Sequence, residues 1–385
     1  MAYRPLFIFG LARSGTNLLA RMLDRNPAVN VALDPLMPLF RSLRNAMVAA
    51  HAPDSTRQRF SPASPFQDYY FDPDGAILLD LMLEAPADLP FSQGELAELR
   101  GKVAARAALE SPPLGARMEG LAGSSYGSLF RNALGIIAGM KPGAAWVGSK
   151  EVWALEFLPF LARAFPDARF YVLERDPRAI VASLLGMAER DPTQAAHPPS
   201  YLRQWRKQVA LVRRFKMDAA LSGRVRSLFF EQLATAPQVE ARTLCQELGI
   251  GYSADMLRLS ADGWLGNSSF QHGGQDVYAE TIERWRHALP EPLVQVADYF
   301  CGPEMALTRY QPASTPDPAT VLTYLQQAAA QPGSWRSDSG DLLADFGGEM
   351  VRQVLTAATE MPNADLARRC FLFHDTFDAI RCRSV

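Results

Sequence analysis

The sequence predicts an α/β fold in which a parallel β-sheet is flanked by helices, and three observations carry that expectation. Strand-like segments at 7–10, 29–33, 145–148, 170–174 and 225–229 alternate with helix-like ones, the rhythm of parallel strands joined by crossovers. The first apolar run, Phe7-Ile8-Phe9-Gly10, opens directly into a tight loop and a helix-like stretch at 18–23. A second run, Arg169-Phe170-Tyr171-Val172-Leu173-Glu174, turns through Arg175-Asp176-Pro177-Arg178 into a helical stretch at 179–185.

The loop after the first strand has the composition of a phosphate cradle. Gly10 and Gly15 let the backbone curl so that successive N–H groups point at one anion, and the following helix adds its positive end. Arg13, Ser14, Thr16 and Asn17 lie in the same turn. A nucleoside triphosphatase loop reads G-x-x-x-x-G-K-[ST]. Here Thr16 stands at the lysine position and Asn17 at the hydroxyl position, while the positive charge has moved forward to Arg13. The cradle is kept and the magnesium equipment is damaged.

The next elements each admit two readings. Asp34, at the end of the second strand, is a candidate base, and with Pro35 it is also a good helix-capping pair. A largely helical insertion follows at 36–140, with helices at 39–50, 76–83, 95–109 and 126–140 and an aromatic loop containing Phe60, Phe66, Tyr69, Tyr70 and Phe71. Those aromatics suit an acceptor-binding lid over the carboxyl edge of the sheet, or simply core. Lys150 follows the strand at 145–148, where it is either a solvated strand-end lysine or a cation at the ligand edge. Asp176 and Pro177 are explained as helix N-cap and first helical residue, whereas Arg175, a cation at the carboxyl end of a buried strand, is not. Three prolines within 311–318 mark a linker, and 311–385 reads as a helical C-terminal extension.

Together these segments resemble the sulfotransferase superfamily, nearer its bacterial and tyrosylprotein branches than its cytosolic aryl branch. Arg13-Ser14-Gly15-Thr16-Asn17 resembles the family's 5′-phosphosulfate loop, KSGTT or RSGTT. Arg175 and Ser183 keep the spacing of the arginine and serine that grip the 3′-phosphate. Ser227 to Leu233, followed by Pro237, resembles the family's "YEDL…P" strand and turn. Asn267-Ser268-Ser269-Phe270 and Ile282-Glu283-Arg284-Trp285-Arg286 resemble its closing loop and basic helix. The glycine-rich closing loop of the aryl branch is absent.

The resemblance implies a P-loop-like sulfotransferase domain over 1–310. It implies 3′-phosphoadenosine 5′-phosphosulfate (PAPS) as donor and 3′-phosphoadenosine 5′-phosphate (PAP) as product. The donor would be held by Arg13, Ser14, Gly15, Thr16, Asn17, Arg175, Ser183, Ser268, Arg284 and Trp285, with no metal. Lys150 would sit near the bridging oxygen, sharing with Arg13 the stabilisation of charge. Asp34 matches the carboxylate after the second strand of the tyrosylprotein branch. The aryl branch's catalytic histidine position is Val152 here, Glu151 is the second candidate base and His272 the third.

Composition bounds the partners. Lys and Arg number 39 against 41 Asp and Glu, so a net charge of −2 gives no general attraction to nucleic acid or anionic membrane. Cys245, Cys301, Cys370 and Cys382 show neither C-x-x-C pairing nor metal spacing, which points to reduced thiols. No leader or membrane span is read before the first strand, and a cytoplasmic, bacterial-type enzyme acting on a small-molecule hydroxyl, or less readily an amine, is expected. Association into a homo-oligomer stays open. Two other classes remain: a small-molecule kinase using ATP and magnesium, with Asp34 as a magnesium-holding strand end, and a nucleotide-binding protein without catalysis.

Overall fold

A computed structural model describes residues 3–191, 196–259, 281–330, 342–358 and 363–382. Five strands, β1 (Arg4–Gly10), β2 (Val29–Leu33), β3 (Trp146–Val152), β4 (Arg169–Glu174) and β5 (Val225–Phe229), form one wholly parallel sheet in the order β2-β3-β1-β4-β5. The expected α/β class and all five strands are present. Leu6, Phe7, Ile8 and Phe9 are completely buried in β1, the central strand, and Phe7 stacks on Phe170 of β4 at 5.8 Å. Crossover helices cover both faces of a parallel sheet, so its central strand needs apolar residues on both faces, which is why β1 reads as a continuous hydrophobic run.

One strand differs from its expectation. β3 does not end at Gly148 but continues through Ser149, Lys150 and Glu151 to Val152. Pairing with both β1 and β2 keeps these polar residues in the ladder, Ile8 opposite Lys150 on one side and Leu33 opposite Lys150 on the other. Lys150 is therefore an interior strand residue, 2% exposed, and the solvated strand-end reading does not hold.

The chain divides into two compact units. The first comprises Met1–Phe66, Ile77–Glu174 and Phe215–Trp264 and contains the whole sheet. Its helices include Thr16–Asp24, Met37–His51, Leu96–Ala108, Tyr126–Ala138 and Pro237–Leu248. Within it Arg44, almost fully buried, donates to the Pro62, Ser64 and Pro65 carbonyls and lies 5.1 Å from the ring centres of both Phe60 and Phe66. One arginine thus fastens that stretch of the aromatic loop.

The second unit comprises Gln67–Ala76, Arg175–Arg214 and Leu265–Val385, so residues after 310 fold with Arg175–Arg214. It is built from helices including Pro177–Arg190, Glu291–Met305, Leu342–Ala357, Ala364–Phe371 and His374–Arg381. Its centre is ionic. Arg206, Glu304, Glu349 and Arg352 are all completely buried; Arg206 binds Glu349 and Arg352 binds Glu304, with Arg352 a further 3.6 Å from Glu349. Arg206 also donates to the Phe300 carbonyl at 3.0 Å and lies 4.3 Å from the centre of the Tyr70 ring. Burial disfavours the charge on Arg206, but Glu349, Glu304 and Tyr70 together outweigh it and raise its pKa. Tyr69 and Tyr70 are buried, as is Phe66 in the first unit, so the packing alternative describes these three aromatics. Among the described residues, no helix is long and apolar enough to cross a membrane.

Candidate active site

The loop after β1 is shaped by two glycines and a serine. Gly15 has φ +95° and precedes the helix Thr16–Asp24 as its N-cap. A Cβ there would fall 2.4 Å from Cδ2 of Phe230, and one on Gly10 would fall 2.7 Å from Thr16 Cγ2 and 2.8 Å from Ser14 Oγ. Both positions thus require glycine, one for its backbone conformation and both for close approach. Ser14 donates from its backbone N–H and its Oγ to the Leu11 carbonyl, at 3.1 and 2.7 Å, which pins the turn and commits its hydroxyl proton to the loop. Arg13 adopts φ 74°, a left-handed conformation uncommon outside glycine. The helix that follows presents its N-terminal N–H groups toward the loop, as an anion requires.

Asp34 lies at the same end of the sheet as this loop, with the end of β3 between them. The register pairs Gly10 with Val152 and Leu33 with Lys150, so the ends of β1, β3 and β2 carry the loop, Lys150 to Val152, and Asp34 in turn. At Asp34, φ is 49° and the chain leaves the sheet. Its N–H still donates to the Lys150 carbonyl at 2.7 Å, and its Oδ1 accepts from the Val152 N–H at 3.2 Å, the carboxylate replacing a backbone rung. Its Oδ2 is ion-paired with Lys150 Nζ, and Arg106 Nη2 approaches the same oxygen at 3.6 Å. Arg106 also donates from Nε to the Asp34 carbonyl at 3.0 Å. The helix Met37–His51 starts after Leu36 with no side-chain cap, so Asp34 does not cap it.

Glu151, next along β3, is completely buried, and its Oε1 accepts from the Leu36 N–H at 2.9 Å. Burial, and then the Asp34 charge, push its carboxyl up to about 8, against the opposing pull of the Leu36 N–H, Lys150 and Ser149.

The second unit gathers four more of the sequence-derived candidates. Arg175, Ser183, Arg284 and Trp285 line one open cleft, with Thr281 and Arg190. Arg175 is 8% exposed, donates from Nη2 to the Thr281 carbonyl at 3.3 Å, and has its own carbonyl held by Trp205 Nε1 at 2.9 Å. Asp176 caps the helix Pro177–Arg190 through the Arg178 N–H. Arg178 holds the Asp176 carboxylate in return, binds Asp298 at 3.2 Å, and lies 4.2 Å from the centre of the Trp285 ring. Ser268 and His272 lie outside the described residues. Sequence reasoning missed Arg106, Arg178 and Trp205. Arg178, two residues after a capping aspartate, left a readable signal; the other two act across long sequence separations and left none.

The sequence model of the Sulfotransferase family matches residues 5–254, a span that contains the loop, Asp34, Lys150 and Arg175. This chain belongs to the sulfotransferase family. Curated sulfotransferases resemble it over part of its length: human carbohydrate sulfotransferase 3 is 29% identical over 180 residues, 41% of this chain and 36% of that protein. Chicken protein-tyrosine sulfotransferase 2 is 24% identical over 195 residues, 48% of this chain and 51% of that one. The match thus spans about a third to a half of the length of these relatives. Among solved structures, the sulfotransferase domain from the curacin biosynthetic pathway covers 78% of this chain and 96% of its own, with 16% identity and a TM-score of 0.45.

Proposed function

We propose that this sulfotransferase takes its sulfuryl group from PAPS and delivers it to a hydroxyl, less readily an amine, of a small molecule. The observation that carries the reading is the sheet edge of the first unit, where the β1–β3–β2 register sets the glycine-shaped loop beside the Asp34–Lys150 pair. The residues fit such a donor. Gly10 and Gly15 let the loop fold tightly against Thr16, Ser14 and Phe230, where any side chain would clash, and that compact turn ahead of a helix N-terminus suits a 5′-phosphosulfate. In the second unit Arg175, Ser183 and Arg284 supply donors for a 3′-phosphate, with Trp285 as an aromatic wall.

PAPS supplies a sulfur atom bonded to a phosphate oxygen that leaves readily. Asp34 accepts the acceptor's hydroxyl proton as the new oxygen–sulfur bond forms and the sulfur–bridging-oxygen bond breaks. In doing so it loses the charge that holds Lys150, whose ammonium then bears on the oxygen gaining negative charge. Arg13, in the loop, adds a second fixed cation, and positioning with electrostatics accounts for the rate. No step calls for a metal.

The test is incubation with ³⁵S-labelled PAPS and, separately, 4-nitrophenol, N-acetylgalactosamine, glucosamine and a tyrosine-containing peptide, each with and without EDTA. Label on a small-molecule hydroxyl, stoichiometric PAP release and indifference to EDTA are expected. Transfer only from ATP with magnesium would favour the kinase, tight PAP binding without transfer a binder, and label confined to the peptide a macromolecular acceptor.

A further inference from the structure

Two carboxyl groups brace the same pair of strand ends from opposite directions. Asp34, just past β2, reaches across to the Val152 N–H of β3. Glu151 of β3 reaches back to the Leu36 N–H, two residues beyond Asp34. The turn between them holds Asp34 at φ 49°, a backbone conformation that costs a non-glycine residue energy and persists only where its surroundings impose it. Backbone pairing across β2 and β3 ends with the Asp34 N–H, so the Leu36 N–H is the next anchor available to the turn, and Glu151 supplies its acceptor.

We propose that Glu151 is a positioning residue for sulfuryl transfer, its buried carboxyl holding the Asp34–Leu36 turn through the Leu36 N–H and so fixing the Asp34 carboxylate against Lys150. This rests on the reading of Asp34 as the base. The charged groups around the Asp34 turn are Lys150 on β3 and Arg106 on the helix Leu96–Ala108, and both bind Asp34. Glu151 accepts from the Leu36 backbone N–H, and the contribution proposed for it is the path of the turn.

The position therefore calls for an acceptor of the right length, not for a negative charge. Glutamine keeps a carbonyl oxygen for the Leu36 N–H; leucine fills similar space and offers none. A catalytic base behaves in the opposite way, since glutamine cannot take a proton.

The experiment compares E151Q, E151L and wild type by PAP release from PAPS, using the best small-molecule acceptor of the panel above, and by hydrogen exchange of the backbone around Asp34 to Leu36. E151Q is expected within about twofold of wild type in kcat and in turn protection. E151L should lose tenfold or more in kcat with its KM for PAPS unchanged and should exchange the turn faster. Equal and severe loss in both variants would make Glu151 the proton acceptor, and wild-type turnover by E151L would remove any role; either overturns the proposal. Exchange reads the turn without turnover: unchanged protection in E151L refutes the bracing itself, whereas faster exchange in E151L with no PAP release from wild type refutes only the catalytic reading of the site.

Discussion

The Lys150 ammonium is bound to the Asp34 carboxylate, so the two residues that would manage the charges of sulfuryl transfer start as one neutral pair. In the proposed reaction, loss of the Asp34 charge would free the Lys150 charge and so couple proton uptake to stabilisation of the leaving group. The pair is shielded, Asp34 at 8% and Lys150 at 2% exposure, so neither charge is dissipated in water.

Asp34→Asn should lower turnover by about 10²–10⁴-fold while PAP affinity, measured by calorimetry, stays near wild type. It should also cost stability, because Lys150 is left charged and buried without its partner. In a double-mutant cycle with Lys150→Met, followed by urea unfolding, the two losses should be less than additive, with a coupling of about 1–3 kcal/mol. Additive losses would mean that the ion pair contributes nothing in solution.

Arg175→Ala should erase most of the preference for PAP over adenosine 5′-phosphate. A charge-assisted contact from a buried arginine is worth about 1.5–3 kcal/mol, roughly ten- to a hundredfold in affinity. Ser183→Ala should narrow the preference less. Calorimetric titration with both nucleotides checks both variants, and equal affinities in the unmutated protein would refute the assignment.

Gly15→Ala should destabilise the first unit and weaken donor binding together, since a Cβ meets the Phe230 ring at a φ that alanine avoids. Pairing it with Phe230→Ala should relieve the clash and leave the backbone penalty, on the order of 1–2 kcal/mol. The difference between single and double variants in thermal unfolding measures the two causes separately.

The Glu151 carboxyl also makes a stability prediction. Its folded pKa, near 8, lies above the ordinary 4.5, so the native state binds more protons than the unfolded one between those values and stability falls as pH rises through the window. The slope is at most about 1.4 kcal/mol per pH unit. Unfolding by urea between pH 5 and 9 should show wild type losing stability relative to E151Q, with the difference levelling off above pH 8.

Removing one member of the buried ionic centre should cost more than any surface change. Glu349→Gln leaves Arg206 and Arg352 short of a buried counter-charge and is expected to destabilise by about 3–5 kcal/mol. Truncation before Leu342 removes the same carboxylate with its helix and should leave the second unit unable to fold, as read by circular dichroism and proteolysis.

Much of the sheet was legible because parallel strands leave continuous apolar runs, and the loop because glycine spacing is a direct statement about backbone. Arg175 and Ser183 were legible because Arg175 stands two residues before the start of the helix that carries Ser183, a local spacing. The environment of Asp34 was not. Lys150 lies 116 positions away, and its burial depends on β3 being paired on both sides, which no window of sequence contains. Asp34-Pro35 looked like a cap because local chemistry favours one, and the tertiary ion pair overrode it. Glu151 was legible as a candidate beside Lys150, whereas its burial and its bond to the Leu36 N–H, 115 positions away, were not.

Trp285 gives the second unit's cleft an indole in its wall, with the Arg178 and Arg286 guanidinium groups 4.2 and 4.6 Å from the ring centre. An anion entering there alters the electric field on the ring, and indole emission is sensitive to such fields. The cleft therefore carries its own optical reporter, and Trp285→Phe isolates its signal from the protein's other five tryptophans. If the proposed donor enters this cleft, stopped-flow fluorescence should follow its arrival without a label and without an acceptor, which would separate nucleotide binding from group transfer.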